Sequence, residues 1–144
     1  MSVTVQVDAR SALSRLDRLI IESRDRTQPN RQLSVQLYGW TQRAFREGGA
    51  SQTPSWAPLA TSTAKRKAQQ GYSSLPLVRT GHYRQSFRPF YDNDRAGVGS
   101  EVPYSKYHEA GTRKMPARPA LPSERVATDY AVQIYQRWAA NLAR

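Results

Sequence analysis

Between Glu47 and Asp92 the chain runs through forty-four residues, 48–91, without one acidic side chain. Lys65, Arg66, Lys67, Arg79, Arg84 and Arg88 give that stretch a local charge of +6. Its first part, residues 48–81, is rich in Gly, Ser, Thr, Pro, Gln and Lys. Irregular chain longer than about 12–15 residues is uncommon inside a compact domain, and where it occurs it is functional or disordered. The fold must therefore accommodate a long basic loop. Within it only TSTAKRKAQQ, residues 61–70, has the composition of a short helix, weakly amphipathic and with a cationic surface. Either this segment faces something acidic or its charge keeps a solvated loop soluble.

The flanks are better patterned. In residues 2–7, Val3, Val5 and Val7 alternate with polar residues, the period of a half-buried strand. From about Ala9 the period becomes helical, with Leu13, Leu16, Leu19 and Ile20 on one stripe and Arg15, Arg18, Glu22 and Arg24 elsewhere. Pro29 disfavours helix in the residue before it, so a break is expected over residues 27–30. A second helix is then expected over residues 30–47, carrying Leu33, Leu37, Trp40, Ala44 and Phe45 inward and stopped by Gly48-Gly49.

Beyond the loop, His82 to Tyr91 is aromatic and strand-favouring, Asp92-Asn93-Asp94 is a turn, and residues 96–100 return antiparallel. Residues 103–110 read as a short helical turn ended by Gly111, and residues 112–122 as a basic arm with Pro116, Pro119 and Pro122. Ser123 is a good N-cap for a last helix marked by Ala127, Tyr130, Ala131, Ile134, Trp138 and Leu142. At 144 residues the chain fits one domain: an α+β fold with a small antiparallel sheet, about three longer helices and the long basic loop.

Catalytic and metal chemistry find little to use. There is no cysteine, hence no disulfide or thiolate, and His82 and His108 lack partners at a ligand spacing. Asp92-x-Asp94 lacks the glycine and distal glutamate of a calcium loop, and no phosphate-binding glycine motif occurs. Neither enzyme activity nor a cofactor is expected. No apolar run approaches the roughly 20 residues of a membrane span, and the N-terminus lacks a signal-peptide apolar region. The chain reads as cytosolic.

The net charge of +11 points instead to a polyanionic partner or a basic association surface. Nucleic-acid binding is one reading, with the six basic residues on phosphates and Tyr72, Tyr83, Phe87, Phe90 and Tyr91 stacking on bases. A solvated basic face over core aromatics is the other. Trp56, Pro58 and Leu59, and Met115, Pro116, Arg118 and Pro119, are anchors set in polar, proline-containing loops. They suit docking on neighbouring subunits, or else they pin the loops to their own domain.

These loop segments also carry a resemblance. Ser55-Trp56-Ala57-Pro58-Leu59, followed by Thr61 or Thr63 and Lys65, is similar to the W-x-P-L-x-x-x-T-x-x-x-K stretch of phage virion-morphogenesis proteins. The run from Leu77 through Thr80-Gly81 and Tyr83 to Ser86 resembles their L-x-x-T-G-x-L-x-x-S segment, with Tyr83 at the leucine position. Val98-Gly99-Ser100, Tyr104, His108 and Gly111 resemble V-G-S-x-x-x-Y-A-x-x-H-x-x-G, and Pro116 to Leu121 resembles P-A-R-P-F-L with Ala120 for the aromatic. Four motifs in order resemble the Mu-like tail-completion group of tailed phages. The resemblance implies an α+β structural protein of the head–tail junction, assembling as a ring of six copies. Its implied partners are a connector and a tail tube or tail terminator, with DNA in the lumen. Its place would be the virion neck, after assembly in the host cytoplasm. The other readings kept open are a basic nucleic-acid-binding protein and an assembly chaperone absent from the virion.

Overall fold

A computed structural model describes residues 9–144. The strand expected over residues 2–7 lies outside the described residues. In chain order the elements are α1 (Arg10–Arg24), α2 (Thr27–Arg46), α3 (Thr61–Gln69), α4 (His82–Gln85), β1 (Phe87–Tyr91), β2 (Ala96–Ser100), α5 (Ser105–Ala110) and α6 (Glu124–Leu142). Among the described residues β1 and β2 form a two-stranded antiparallel sheet, paired from Phe87↔Ser100 to Tyr91↔Ala96. The architecture is a small α+β fold with α1, α2 and α6 as its longer helices.

Helix α2 is the axis of the molecule, because its apolar stripe serves two cores at once. Leu33 and Leu37 pack on Ile134 of α6, with Ala127, Tyr130 and Ala131 around them. Farther along, Ala44 and Phe45 enter a second cluster with Trp56, Tyr83, Phe87 and Ala120. Val98 of β2 touches both clusters, so the hairpin is the seam between them. Phe45 sits at the centre of the second cluster, with ring centroids 5.6 Å from Trp56, 5.4 Å from Tyr83 and 5.5 Å from Phe87. Offset, edge-on pairs of this kind add stabilisation beyond the area they bury.

Two boundaries differ from expectation. The break before α2 falls at Asp25 and Arg26, and Pro29 is buried in the first turn of the helix. The first N–H groups of a helix have no intrahelical acceptor, so proline's missing donor costs nothing there. Asp25 takes over the capping, its Oδ1 accepting the Thr27 N–H at 3.0 Å. Residues 82–85, expected to begin a strand, form the one-turn helix α4. Gly81, at φ +81°, turns the chain, and Gln85 N–H closes on Gly81 O at 2.9 Å. That single turn carries Tyr83 inward to a buried position.

A polar knot holds the turn end of the hairpin. Asp92 accepts the Asp94 and Arg95 N–H groups at 2.8 Å each, which shapes the expected turn. Buried Asn30 of α2 donates from Nδ2 to the carbonyls of Asp92 at 2.8 Å and Asn93 at 3.1 Å. Its Oδ1 accepts the Tyr135 hydroxyl of α6 at 2.6 Å. One amide thus ties α2, the hairpin turn and α6 together. Replacing Asn30 by Ala leaves several part-buried polar groups unpartnered, so Asn30→Ala should lower unfolding free energy by about 2–3 kcal/mol. Urea denaturation followed by circular dichroism checks this, and a change below about 0.5 kcal/mol would show the knot to be dispensable.

Candidate functional site

The most elaborate site in the molecule is the junction between the loop after α2 and the proline-rich arm. Helix α2 ends in Gly48 and Gly49, both with positive φ, and Gly49 N–H bonds back to Ala44 O at 2.7 Å. The indole of Trp56 lies directly on Gly49, where a Cβ would come within 2.1 Å of the ring. Glycine is therefore required twice, for the left-handed turn and for the space. Trp56 is only 6% exposed; it meets Phe45 edge-on and donates from Nε1 to Pro119 O at 2.7 Å.

The arm answers with a buried guanidinium. Arg118 is 7% exposed, donating from Nε to Ala57 O at 2.8 Å and from an Nη to Pro58 O at 2.9 Å. Its own N–H bonds to His108 O at 2.7 Å. Glu109 of α5 accepts the Ala120 N–H at 2.8 Å and the Leu121 N–H at 3.3 Å. Burial pushes the Glu109 carboxyl up from its ordinary value, while those two amides pull it down. Gly111, at φ +73°, lets the arm fold back on α5, because a Cβ there would meet Ala117 N at 2.7 Å.

Trp56 and Arg118 therefore act within their own chain. Of the two readings open in the sequence, pinning the loops to their own domain is the one the geometry realises for these two residues. The outward side of the junction is formed by Pro58 and Pro116, which are exposed, and by half-buried Leu59, Met115 and Pro119.

The basic residues also divide. Lys67 is 8% exposed and donates from Nζ to Leu75 O at 2.7 Å and Val78 O at 2.9 Å. Burial, and then the charge of Arg79, pull its ammonium below the ordinary lysine value. It closes the loop behind α3 and is not part of a free basic surface. Lys65, Arg66, Arg79, Arg84 and Arg88 are exposed. Arg79 lies over the Tyr72 ring at 4.8 Å, and Arg84 Nε bonds Gln42 Oε1 at 2.9 Å. Tyr83 and Phe87, weighed as base-stacking groups, are buried in the core, whereas Phe90 and Tyr91 are exposed.

Neither histidine joins a cluster. His82 is exposed, and His108 packs on Tyr83 at 4.9 Å, its Nδ1 buried without a hydrogen-bond partner among the described residues. Burial and Arg118 both lower the His108 pKa. Among the described residues no three His, Cys, Asp or Glu side chains could hold a metal ion, and no helix is long and apolar enough to cross a membrane.

Trp56 and Arg118 coincide with the loop motifs, and the model of the phage virion morphogenesis family matches residues 7–135. The chain belongs to the phage virion morphogenesis family. Membership assigns it a structural or assembly role in the making of phage virions. Comparison with curated proteins and with solved structures gives no significant match.

Within the family motif W-x-P-L-x-x-x-T-x-x-x-K, counting from Trp56 reaches Lys67 and not Lys65. That spacing was the signal for the buried lysine. Glu109 and Asn30 had no comparable signal, since each acts on backbone groups brought near only by the fold.

Two outcomes follow from the clamp. Arg118→Ala strands part-buried carbonyls and should cost about 2–3 kcal/mol, with limited proteolysis then cutting the chain within residues 50–60. A loop as protease-resistant as the wild type's would show that the guanidinium is not what holds it. For Glu109, a folded pKa above the unfolded one means that the native state holds its proton more tightly. Its contribution is therefore most favourable at acid pH and falls as pH rises through and above the ordinary carboxylate range. Glu109→Gln, which keeps an acceptor without the charge, should gain on the wild type between pH 4 and pH 7 in urea titrations, whereas a constant difference would contradict this.

Proposed function

We propose that this protein is a non-enzymatic tail-completion subunit that closes into a ring of about six copies and joins the tail to the head-side connector. Membership of the phage virion morphogenesis family, across residues 7–135, carries this reading. The site supports it. A clamp of buried polar contacts converts two irregular segments into rigid edges, with exposed Pro58 and Pro116 and half-buried Leu59 and Met115 on the outside. Preordered apolar and proline-rich edges suit docking on an adjacent subunit or the next ring, because little entropy remains to be lost on contact. The connector and the tail tube or tail terminator are the partners in this scheme. Exposed Lys65, Arg66, Arg79, Arg84 and Arg88 offer charge to acidic surfaces of those proteins or to DNA in the lumen.

The deciding experiment is quantitative mass spectrometry of purified virions, with copies scaled to the major capsid protein. A handful of copies per particle, about six for a single ring, supports the neck role. Absence from particles that retain their other neck proteins replaces it with the assembly-chaperone reading. Purified protein whose DNA affinity falls log-linearly and steeply with salt favours the nucleic-acid reading. Leu59→Asp combined with Pro116→Asp, which leaves the inner clamp intact, should lower infectious titre about tenfold or more at unchanged thermal stability.

A further inference from the structure

Helix α1 faces the wrong way for a helix of a self-contained domain. Leu13, Leu16, Ile20 and Ile21 are 57%, 53%, 53% and 65% exposed. The side turned to the rest of the chain carries Arg15, Arg18, Leu19 and Glu22 beside the end of α6, where the Arg15 guanidinium donates to Ala143 O. Of the expected stripe, Leu13, Leu16 and Ile20 look outward, whereas Leu19 turns inward and is half-buried. A fifteen-residue helix with so little packing is marginal in water, and amphipathic helices draw their stability from a covered apolar face.

A matching surface lies elsewhere on the same molecule. Arg31, Gln32, Val35 and Gln36 of α2 and Ile134 and Arg137 of α6 line an open groove of about 320 Å³. Val35 is 55% exposed, and Ile134 supplies buried apolar surface beneath it. On α2 the lining reaches from Gln28 to Gln36, about 12 Å of helix, and Leu13 to Ile20 spans about 11 Å. Charge is complementary as well. Asp17 stands within the outward stripe of α1, between Leu13 and Ile20, while Arg31 and Arg137 stand at the groove.

We infer that α1 of one copy lies in the α2–α6 groove of the next, Leu13, Leu16 and Ile20 covering exposed Val35 and Asp17 meeting Arg31 and Arg137. The two surfaces are different, so the contact is head-to-tail, the kind that closes into a ring when the rotation permits. This inference deepens the ring reading above and rests on it. Its occupant is a second copy because α1 is held along the end of its own α6 by the Arg15 contact.

The chain has no cysteine, so introduced thiols report a contact without background. Full-length Leu16→Cys and Val35→Cys proteins, mixed under mild oxidation, should give a disulfide joining one of each. Ile20→Glu and Val35→Glu alter exposed positions and should keep the wild-type melting temperature. Each alone should weaken self-association about tenfold or more in sedimentation, and their equimolar mixture should recover a dimer through the one intact pair of surfaces. A Leu16–Leu16 disulfide, or loss of association in Ile20→Glu only, overturns the groove in favour of α1 pairing with itself. Wild-type protein that stays monomeric at every concentration overturns self-association through α1. Rings that survive both glutamate variants overturn this contact and leave the ring standing, whereas absence from virions overturns the neck role with the contact intact.

Discussion

The carbonyls of Ala57 and Pro58 point at a buried guanidinium, and much of the molecule's irregular half is organised by that contact. Ordering a loop as long as residues 48–81 costs conformational entropy that its few apolar side chains do not recover alone. Arg118 offsets this with two charge-assisted bonds to backbone oxygens, which are stronger than neutral ones and stronger still away from water. Trp56 then completes the junction from the opposite side, filling the space over Gly49 and bonding Pro119. Lys67 does the same for the loop's second half through the carbonyls of Leu75 and Val78. Cations buried against backbone oxygens therefore supplement the few apolar side chains, Trp56, Leu77 and Val78, that this segment gives to the core.

The family resemblance takes on a physical meaning in this light. Trp56, Lys67, Gly81, Ser86, Ser100, Gly111 and Arg118 are motif positions, and each makes a contact that shapes the fold. Ser86 bonds Tyr83 O and Ser100 Oγ at 2.6 Å each, fastening α4 to β2. Gly81 and Gly111 hold positive φ at the ends of short elements. The motifs thus describe a scaffold. In the proposed role, function falls to what the scaffold leaves on its surface: the Pro58 and Pro116 edges, the exposed Lys65, Arg66, Arg79, Arg84 and Arg88, and the outward stripe of α1.

Two of these features separate naturally in role. Exposed arginines and lysines act over distance and steer encounter, but they contribute little once screened by salt. Apolar stripes act only on contact and set the strength of association. In the proposed role a chain with both is equipped for assembly into a defined particle, and α2, α6 and the hairpin, packed through the two cores, form the frame that carries them.

Much of this was legible in the residues. Periodicity located α1, α2 and α6 because helix formation follows local spacing, and the turn at Asp92 and the N-cap at Ser123, which accepts the Val126 N–H, are equally local. The loop motifs pointed to the family because short-range residue order is what a family keeps. Side-chain direction was another matter. Trp56 and Arg118 read equally as docking anchors or as pins of their own loops until the chain brings residue 118 beside residue 57, a contact across sixty-one positions. Leu13, Leu16 and Ile20 read as one helical stripe, and only the structure turns that stripe to solvent. The sequence by itself determined where helices, turns and cations stand along the chain, since those depend on near neighbours. Only the tertiary structure decided which of them face inward, because burial is a property of contacts between residues far apart in sequence.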